Sequence, residues 1–231
     1  MNELIFNGKN FTEFNAYYAT SNFLDGAAKD VQSVSVVGRS GDLQLSNNRY
    51  KNLSLKIRVY VTRDMEASMR AMRNYLESVH GYARVEISDQ PNEYRMAAYK
   101  EMFAPDSYDP KVGVVDLTFD SMPQRFLMSG ETSVEVTTTL ENPTLFPSKP
   151  IIRVYGNGTL NINDIYITVA SSPYEYVDID CELMDCYYGS NNANQYVSFS
   201  TTDFVTLQSG TNSFVIDGFT SVEVTPRWYE V

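Results

Sequence analysis

The chain has 231 residues, of which 43% are hydrophobic and 20% charged, and its formal net charge is −11. This composition is typical of globular domains, and the length suits one large β domain or two of ordinary size. The excess of acids disfavours binding to nucleic acids or anionic membranes, because that affinity requires Lys and Arg to neutralise phosphates.

The acidity is concentrated in the second half of the chain. Residues 1–129 contain 15 Lys and Arg against 16 Asp and Glu, whereas residues 130–231 contain 3 against 13. No apolar run approaches the roughly 18 residues of a membrane span, and no secretory signal pattern is visible. We therefore expect a protein made in a reducing cytosol, without a membrane segment, whose acidity serves solubility.

Alternating apolar and polar residues predict two strands early in the chain. The first covers residues 43–46 and is followed by a turn-prone stretch at residues 47–50. The second is a long half-buried strand over residues 53–61 in which Lys56 and Arg58 face outward. We expect the two strands to pair as a hairpin that is entered through a tight glycine-containing turn at residues 38–42.

One helix is predicted between residues 65 and 79. Its apolar residues recur at spacings of four and three and form a stripe on one face; they are Met65, Met69, Met72, Leu76 and Val79. Asp64 is the expected N-cap, Gly81 is expected to end the helix in the left-handed conformation, and Glu66 and Arg70 form a favourable i,i+4 pair.

The remainder of the chain is strand-like. The expected strands are Tyr82–Ile87, Arg95–Met102, Gly113–Phe119, Ile151–Tyr155, Leu160–Val169, Tyr176–Leu183, Tyr196–Phe199, Phe204–Leu207, Ser213–Ile216 and Ser221–Thr225. Prolines at 143, 147 and 150, together with the change in charge balance, predict two domains, residues 1–141 and 142–231. Short strands separated by Gly, Asn and Ser clusters predict a β-sandwich for the second.

Residues suited to catalysis are scarce. His80 is the single histidine, and its position at the expected helix C-terminus favours a structural role. Cys181 and Cys186 have neither a redox nor a zinc-site spacing, and Cys181 is expected to face a core. We therefore expect no enzymatic activity, no cofactor and no metal site; a glycoside hydrolase would need two carboxylates across a cleft, and nothing singles out such a pair.

A row of acids is the most suggestive polar pattern. Asp178, Asp180 and Glu182 alternate with apolar residues, so a strand would place the three carboxylates on one face. Such a face could bind an ion or a glycan, with nearby tyrosines to stack on sugars. The more frequent explanation is the solvated face of a half-buried strand, which we expect here.

The last eleven residues predict a tied-down chain end. The strand Ser221–Thr225 is followed by Pro226, which cannot donate to a ladder, and then by Trp228 and Tyr229. Trp228 is the single tryptophan. Because chain ends normally fray, we expect Trp228 and Tyr229 to act as structural anchors in a core or an interface.

Six segments, in this order, resemble the distal tail protein family of long-tailed siphophages and related prophages. They are Gly38–Leu43 with Asn48–Asn52, the helix leading into His80–Arg84 and Ser88–Pro91, Leu117–Leu127, Asn142–Ile152, Asp180–Cys186, and Ser221–Tyr229. Ser121, where relatives often carry Cys, and Tyr229, where a second Trp is expected, depart from the pattern.

The resemblance implies an architecture and an assembly. It implies an N-terminal β-sandwich with one helix that forms a ring, usually a hexamer, between the tail tube and the tip or baseplate proteins. It also implies a C-terminal galectin-like or carbohydrate-module-like β-sandwich. The expected partners are further copies of the chain, the major tail tube protein and a tail-tip or tail-associated protein, and the expected location is the distal end of the virion tail.

A ring also implies contacts between subunits. The residues we expect there are Arg39, Asp42, Arg49, Tyr50, Lys56 and Arg58. The alternative function is a binding module in which the second sandwich recognises host glycans through its tyrosines and the face formed by Asp178, Asp180 and Glu182. Further candidate partners are receptor-binding proteins.

Overall fold

A computed structural model of the chain describes residues 2–109 and 112–231. Within these residues the protein is mainly β with one α-helix, as predicted. The chain forms two compact units: the first comprises residues up to Arg125 together with Val231, and the second comprises Phe126–Glu230.

The first part of the chain contributes ten strands and the helix. The elements are β1 (Leu4–Phe6), β2 (Lys9–Asn10), β3 (Ala16–Ser21), β4 (Lys29–Val34), β5 (Leu43–Tyr50), β6 (Leu53–Val61), α1 (Met65–Ser78), β7 (Ala83–Ile87), β8 (Glu93–Tyr99), β9 (Pro105–Asp109) and β10 (Val112–Leu127). A 3-10 helix, Phe11–Phe14, precedes β3. The main sheet has the order β2-β1-β7-β8-β10-β6-β3, with β9 also paired to β10.

Alternation along β6 builds the core of this unit. Its apolar residues Leu55, Ile57, Val59 and Val61 are fully buried, whereas Lys56 and Arg58 point to solvent as predicted. The helix lies against the same core through its predicted stripe, of which Met69, Met72 and Leu76 are buried.

The two ends of the helix differ from the prediction. Asp64 stands at the N-cap, but its backbone has φ +45° and its side chain makes no capping hydrogen bond. The helix stops at Ser78 because Val79 is already extended. Gly81 does adopt the left-handed conformation, with φ +75°, yet it lies beyond the end of the helix and does not cap it.

The predicted hairpin between residues 43–46 and 53–61 is wrong, and the stretch 47–50 predicted as a turn is part of β5. β5 pairs with β4 in a separate two-stranded sheet, with Val34 opposite Leu43 and Gln32 opposite Leu45. β6 instead lies between β10 and β3 in the main sheet. The period of two identifies a strand and its faces, but it does not identify the neighbour that completes the ladder.

The second part of the chain contributes twelve strands. They are β11 (Val134–Glu135), β12 (Thr139–Asn142), β13 (Ile151–Tyr155), β14 (Gly158–Ile162), β15 (Ile165–Val169), β16 (Tyr176–Asp180), β17 (Asp185–Tyr188), β18 (Asn191–Asn192), β19 (Val197–Phe199), β20 (Gly210–Asp217), β21 (Ser221–Thr225) and β22 (Tyr229–Glu230). Short 3-10 helices occupy Met128–Gly130 and Asn194–Tyr196.

Two sheets form a sandwich in this unit, as predicted. One has the order β11-β21-β13-β16-β17-β18 and the other β12-β20-β14-β15-β19. Alternate residues of both sheets meet in one core, for example Ile152 and Val154 from β13 with Leu160 and Ile162 from β14. Hydrophobic burial between the two faces therefore holds this unit together.

The boundary between the units lies before the three prolines. β11 pairs with β21 and β12 pairs with β20, so these two strands, within residues 134–142, belong to the second unit's two sheets. The prolines follow these strands and fall within the second unit, which begins at Phe126 rather than at residue 142. The prolines correctly indicate a loop, but the pairing of β11 and β12 places the boundary between the units before that loop.

Two predicted strands in the second unit are corrected. Residues 160–169 form two strands of a hairpin, because Asn163 and Asp164 both have positive φ and reverse the chain between them. Residues 204–207 form no strand beyond an isolated bridge from Leu207 to Ser148.

Candidate functional site

The β4–β5 hairpin carries four of the six residues predicted at subunit contacts. Arg39 and Asp42 are exposed in its loop, and Arg49 lies on β5. The Arg49 Nε donates to Asp30 Oδ2 at 2.7 Å. Hydrogen bonds from Asn47 and Arg49 lower the pKa of Asp30 to about 2. Tyr50, the fourth residue, is half-buried at the end of β5 and lies opposite the first residue of β4.

This hairpin has almost no core of its own. None of its strand residues is buried, and Leu43 and Leu45 are 39% and 48% exposed. Val37, in the loop, is fully exposed. A two-stranded hairpin is marginal in water unless another surface covers its apolar side chains. The hairpin therefore presents an apolar face that the described part of this chain leaves uncovered.

The chain leading into the hairpin is fastened by a buried arginine. Arg95, on β8, is fully buried and donates from Nε to the Phe23 carbonyl at 2.8 Å and from Nη2 to the Asp25 carbonyl at 2.6 Å. Burial lowers its pKa to about 10, and the nearby Arg125 contributes to the decrease. The carbonyls of the segment between β3 and β4 thus solvate the guanidinium and are in turn held in place by it.

The outward face of β6 is only partly free. Arg58 lies opposite Asp116 of β10 and forms a two-bond ion pair with it, with 2.6 Å contacts. Hydrogen bonding to Arg58 lowers the pKa of Asp116, although burial acts in the opposite direction. Lys56 is exposed and forms no ion pair with any residue that the structure describes. Of the two predicted cations, Lys56 is therefore the one that is free for another chain.

The predicted row of three carboxylates is not a solvated face. Asp178 and Asp180 lie on the same side of β16 but are only 5% and 2% exposed, which overturns the expectation. Glu182 lies beyond the end of β16, where its carboxylate is 3.4 Å from the Lys149 ammonium. Two arginines, Arg153 from the neighbouring strand and Arg227 from the chain end, cover the two aspartates, which is why charged residues of this strand are buried.

Each aspartate of β16 has its own arginine. Arg153 lies opposite Asp178 and donates to both carboxylate oxygens, at 2.7 and 2.9 Å. Arg227 does the same for Asp180, at 2.7 and 2.8 Å. Burial alone would raise the pKa of Asp180, but the bonds from Arg227 and from two backbone amides lower it below its ordinary value. Hydrogen bonding to Asp178 raises the pKa of Arg153.

The chain end packs against the core of the second unit. Trp228 is 4% exposed and belongs to the core of the second unit, and its carbonyl accepts from the Leu127 N–H at 2.9 Å. The ring of Tyr229 stacks on Phe146 with centroids 5.8 Å apart, and the Ser148 hydroxyl donates to the carbonyl of Pro226 at 2.7 Å. The side chains of Trp228 and Tyr229 therefore pack within the second unit.

A close backbone approach accompanies this anchor. The Arg227 N–H donates to the Gly130 carbonyl at 2.8 Å. A Cβ at Gly130 would lie 2.3 Å from the backbone nitrogen of Trp228. Only glycine at this position lets the segment after β10 approach the chain end so closely.

The two cysteines and the histidine lie in surroundings that suit a structural role. Cys181 and Cys186 are buried in the second core as free thiols, and burial raises the pKa of both to about 12. Such thiols stay protonated and unreactive at neutral pH. The Nδ1 of His80 is 2.9 Å from the Ser78 carbonyl at the end of the helix.

Among residues 2–109 and 112–231, no group of three or more His, Cys, Asp or Glu side chains is arranged to hold a metal ion. None of the helices in those ranges is long and apolar enough to cross a membrane.

A polar cavity of about 300 Å³ opens on the outer face of the six-stranded sheet of the second unit. Its lining combines charged, aromatic and apolar side chains from different strands, among them Arg153, Asp178, Tyr187, Glu223, Ile151 and Ser133. Sequence reasoning found only Asp178 among them, since the others become neighbours through strand register.

Comparison with known proteins gives likeness in structure but not in sequence. No protein-family model matches the chain, and no curated protein is detectably similar to it in sequence. The fold is similar to the crystal structure of the SPP1 Dit (gp 19.1) protein, described as a paradigm of the hub adsorption apparatus in phages that infect Gram-positive bacteria. That match has a TM-score of 0.76 and 14% identity and covers 97% of each chain.

The phage p2 baseplate provides further similar structures. Chains of that baseplate in its activated conformation match with a TM-score of 0.55 and 10% identity in the presence of Sr, and 0.54 and 9% in the presence of Ca. Each match covers 97% of both chains. The chain therefore has the fold of the SPP1 Dit hub protein, and the resemblance to the siphophage distal tail family is confirmed at the level of the fold.

Proposed function

We propose that the protein is a structural distal tail protein of a siphophage. In this proposal the chain forms a ring, with six copies, that joins the tail tube to the tail-tip or baseplate proteins at the distal end of the virion tail. The observation that carries the proposal is the likeness to the SPP1 Dit protein over 97% of both chains, which spans both units rather than a common sandwich alone.

The exposed hairpin supports assembly through the first unit. Leu43 and Leu45 lie two residues apart on β5, on one side of a ribbon that has no core beneath it. Covering them against a neighbouring copy would remove apolar surface from water, and a ring repeats the same contact around its axis. The free Lys56 and the exposed loop residues Arg39 and Asp42 would add polar contacts.

Ring formation is testable with the purified full-length protein. We expect light scattering coupled to size-exclusion chromatography to give a mass of about six chains, and negative-stain images to show six-fold rings. A strict monomer at every concentration, with and without the tail tube and tail-tip proteins of the same phage, would contradict the proposal.

The hairpin's part in assembly needs its own variants. Leu43→Ser/Leu45→Ser changes only exposed side chains, so we expect a folded protein that no longer forms rings. Val215→Ser is the matched control, because Val215 is an exposed apolar residue (62%) on β20 of the second unit. Rings that survive the double substitution would show that the ring uses another surface.

A further inference from the structure

The outer face of the six-stranded sheet combines tyrosine rings with carboxylates that have no cation. Strand register places Glu223 of β21, Arg153 of β13, Asp178 of β16 and Tyr187 of β17 side by side around the 300 Å³ cavity. From this combination we propose that the face binds a proline-rich segment of another protein, with a Lys or Arg side chain of that segment in the cavity.

Two glutamates of this face lie directly opposite each other. Glu135 on β11 is the register partner of Glu223 on β21, which lines the cavity. Glu135 accepts a hydrogen bond from the Ser221 hydroxyl at 3.0 Å, and Glu223 accepts one from the Ser133 hydroxyl at 3.4 Å. Neither glutamate forms an ion pair within residues 2–109 and 112–231. Like charges opposite each other on neighbouring strands are destabilising, so a cation bound beside them is favoured.

The charge of the cavity also selects a cation. Arg153, the cation in its lining, donates to both carboxylate oxygens of Asp178, and its guanidinium carbon lies 4.2 Å from the ring centroid of Tyr176. The carboxylate of Glu223 is therefore left uncompensated in the lining. The surrounding half of the chain, residues 130–231, has 13 acids and 3 cations. Such a field attracts a basic ligand and repels an acidic one.

A run of tyrosine rings begins beside the cavity. Tyr155 and Tyr176 are register partners on β13 and β16, two residues along their strands from the arginine and aspartate of the cavity, and their ring centroids are 5.8 Å apart. The ring of Tyr188 lies 4.7 Å from that of Tyr176 and stacks on Tyr174 at 4.8 Å. All four tyrosines are half-buried, so each leaves part of its side chain open to a partner.

A polyproline II segment suits such a run of rings. Proline rings pack against aromatic side chains, and the fixed backbone of proline lowers the entropy lost on binding. The helix rises about 3.1 Å per residue, so the four rings at their observed spacings suit roughly five of its residues. Because this helix has no internal hydrogen bonds, its carbonyls are also free to accept.

Donors for those carbonyls lie in the cavity. A guanidinium has five N–H donors, of which Arg153 uses two on Asp178, so donors remain for a ligand. Burial raises the pKa of Tyr187, and the carboxylates of Asp178 and Asp180 raise it further. The phenol therefore stays protonated at neutral pH and can donate. A basic proline-rich segment thus supplies a cation to the glutamates, carbonyls to the donors and apolar rings to the tyrosines.

Fluorescence anisotropy with the full-length protein tests the proposal with synthetic peptides of about ten residues. The first kind contains Pro-x-x-Pro repeats with arginines placed before or after them. The second kind has glutamate in place of arginine, and the third has alanine in place of proline. We expect at least one peptide of the first kind to bind with a Kd of about 1–100 μM, and its two counterparts to bind at least about tenfold more weakly. No binding of the first kind at millimolar concentration, or equal binding of either counterpart, overturns the proposal.

Matched variants locate the binding. Glu135→Gln/Glu223→Gln should weaken the Kd of the arginine peptide at least about tenfold without lowering the Tm, since it also removes a repulsion between like charges. Tyr155→Ala should weaken that Kd at least about threefold, because it removes one ring of the run. The controls are Asp217→Asn and Tyr166→Ala, which change exposed residues on β20 and β15 of the other sheet.

The outcome of these variants is decisive for the site. Unchanged affinity in the glutamate or the tyrosine variant, or an equal loss in the two controls, would refute binding at this face. The peptides are measured against the protein in any oligomeric state, so this result and the test of ring formation are independent.

Discussion

Replacement of Trp228 by Ala is expected to destabilise the second unit severely. The side chain is 4% exposed and packs among the residues of the sandwich core, so truncation removes buried apolar area and leaves a large cavity. Substitutions of this kind cost about 3–5 kcal/mol. For a unit of this size, each kcal/mol corresponds to about 4–8 °C in Tm, so we expect a decrease of at least about 12 °C.

The assay must follow the second unit by itself. Differential scanning calorimetry can resolve its transition from that of the first unit, and circular dichroism in urea gives an independent free energy of unfolding. Fluorescence is unsuitable, because Trp228 is the single tryptophan.

A matched aromatic control separates burial from the mere loss of a ring. Tyr166, on β15 of the same unit, is 49% exposed, and Tyr166→Ala should change the free energy of unfolding by less than about 0.5 kcal/mol. If Trp228→Ala falls within about 1 kcal/mol of this control, the anchoring role derived from its burial is refuted.

Three further expectations test single contacts. Gly130→Ala should lower the free energy of unfolding by about 1–3 kcal/mol, because its Cβ meets backbone atoms and not a flexible side chain. Gly26→Ala is the control, since Gly26 has open space around it, and it should leave the Tm unchanged in the same thermal melts. The folded-state pKa of Asp180 is lowered, so its pairing with Arg227 stabilises the fold above the unfolded-state pKa of about 3.9, and this stabilisation is lost as the pH falls. Arg227→Met should therefore lower the Tm near neutral pH. The difference in Tm from the parent protein should shrink on acidification. Arg95→Met removes the donors to two carbonyls, and hydrogen exchange should show faster opening of residues 22–28 while most of the main sheet stays protected.

Periodicity predicted the elements of the first unit better than their partners. The stripe of α1 and the alternation of β6 depend on residues within one element, and both are confirmed by burial. The predicted partner of β5 was wrong because Leu43 and Leu45 can pair with any neighbouring strand equally well. The alternation there is also not a sign of burial, since both leucines remain substantially exposed.

The acidic face shows where reading one strand at a time fails. Alternation correctly placed Asp178 and Asp180 on one side of β16, opposite the core. Their burial depends on Arg153 and Arg227, which lie 25 and 47 residues away in sequence. The acidic half has three cations. The placement of two of them, Arg153 and Arg227, over the two aspartates follows from the register of β13 with β16 and from the course of the chain end.

The chain end explains why a proline did not mark the end of ordered structure. Pro226 ends the ladder of β21, yet alternation of burial continues past it: Val224, Pro226 and Trp228 are buried, while Thr225 and Arg227 are not. Arg227 adopts a left-handed backbone, φ +57°, which is unfavourable for a residue with a Cβ. That conformation is held from two sides, by its N–H on Gly130 and by its guanidinium on Asp180. The ladder of β21 ends at the proline, whereas the packing of Trp228 and the two bonds of Arg227 hold the residues that follow it in the second unit.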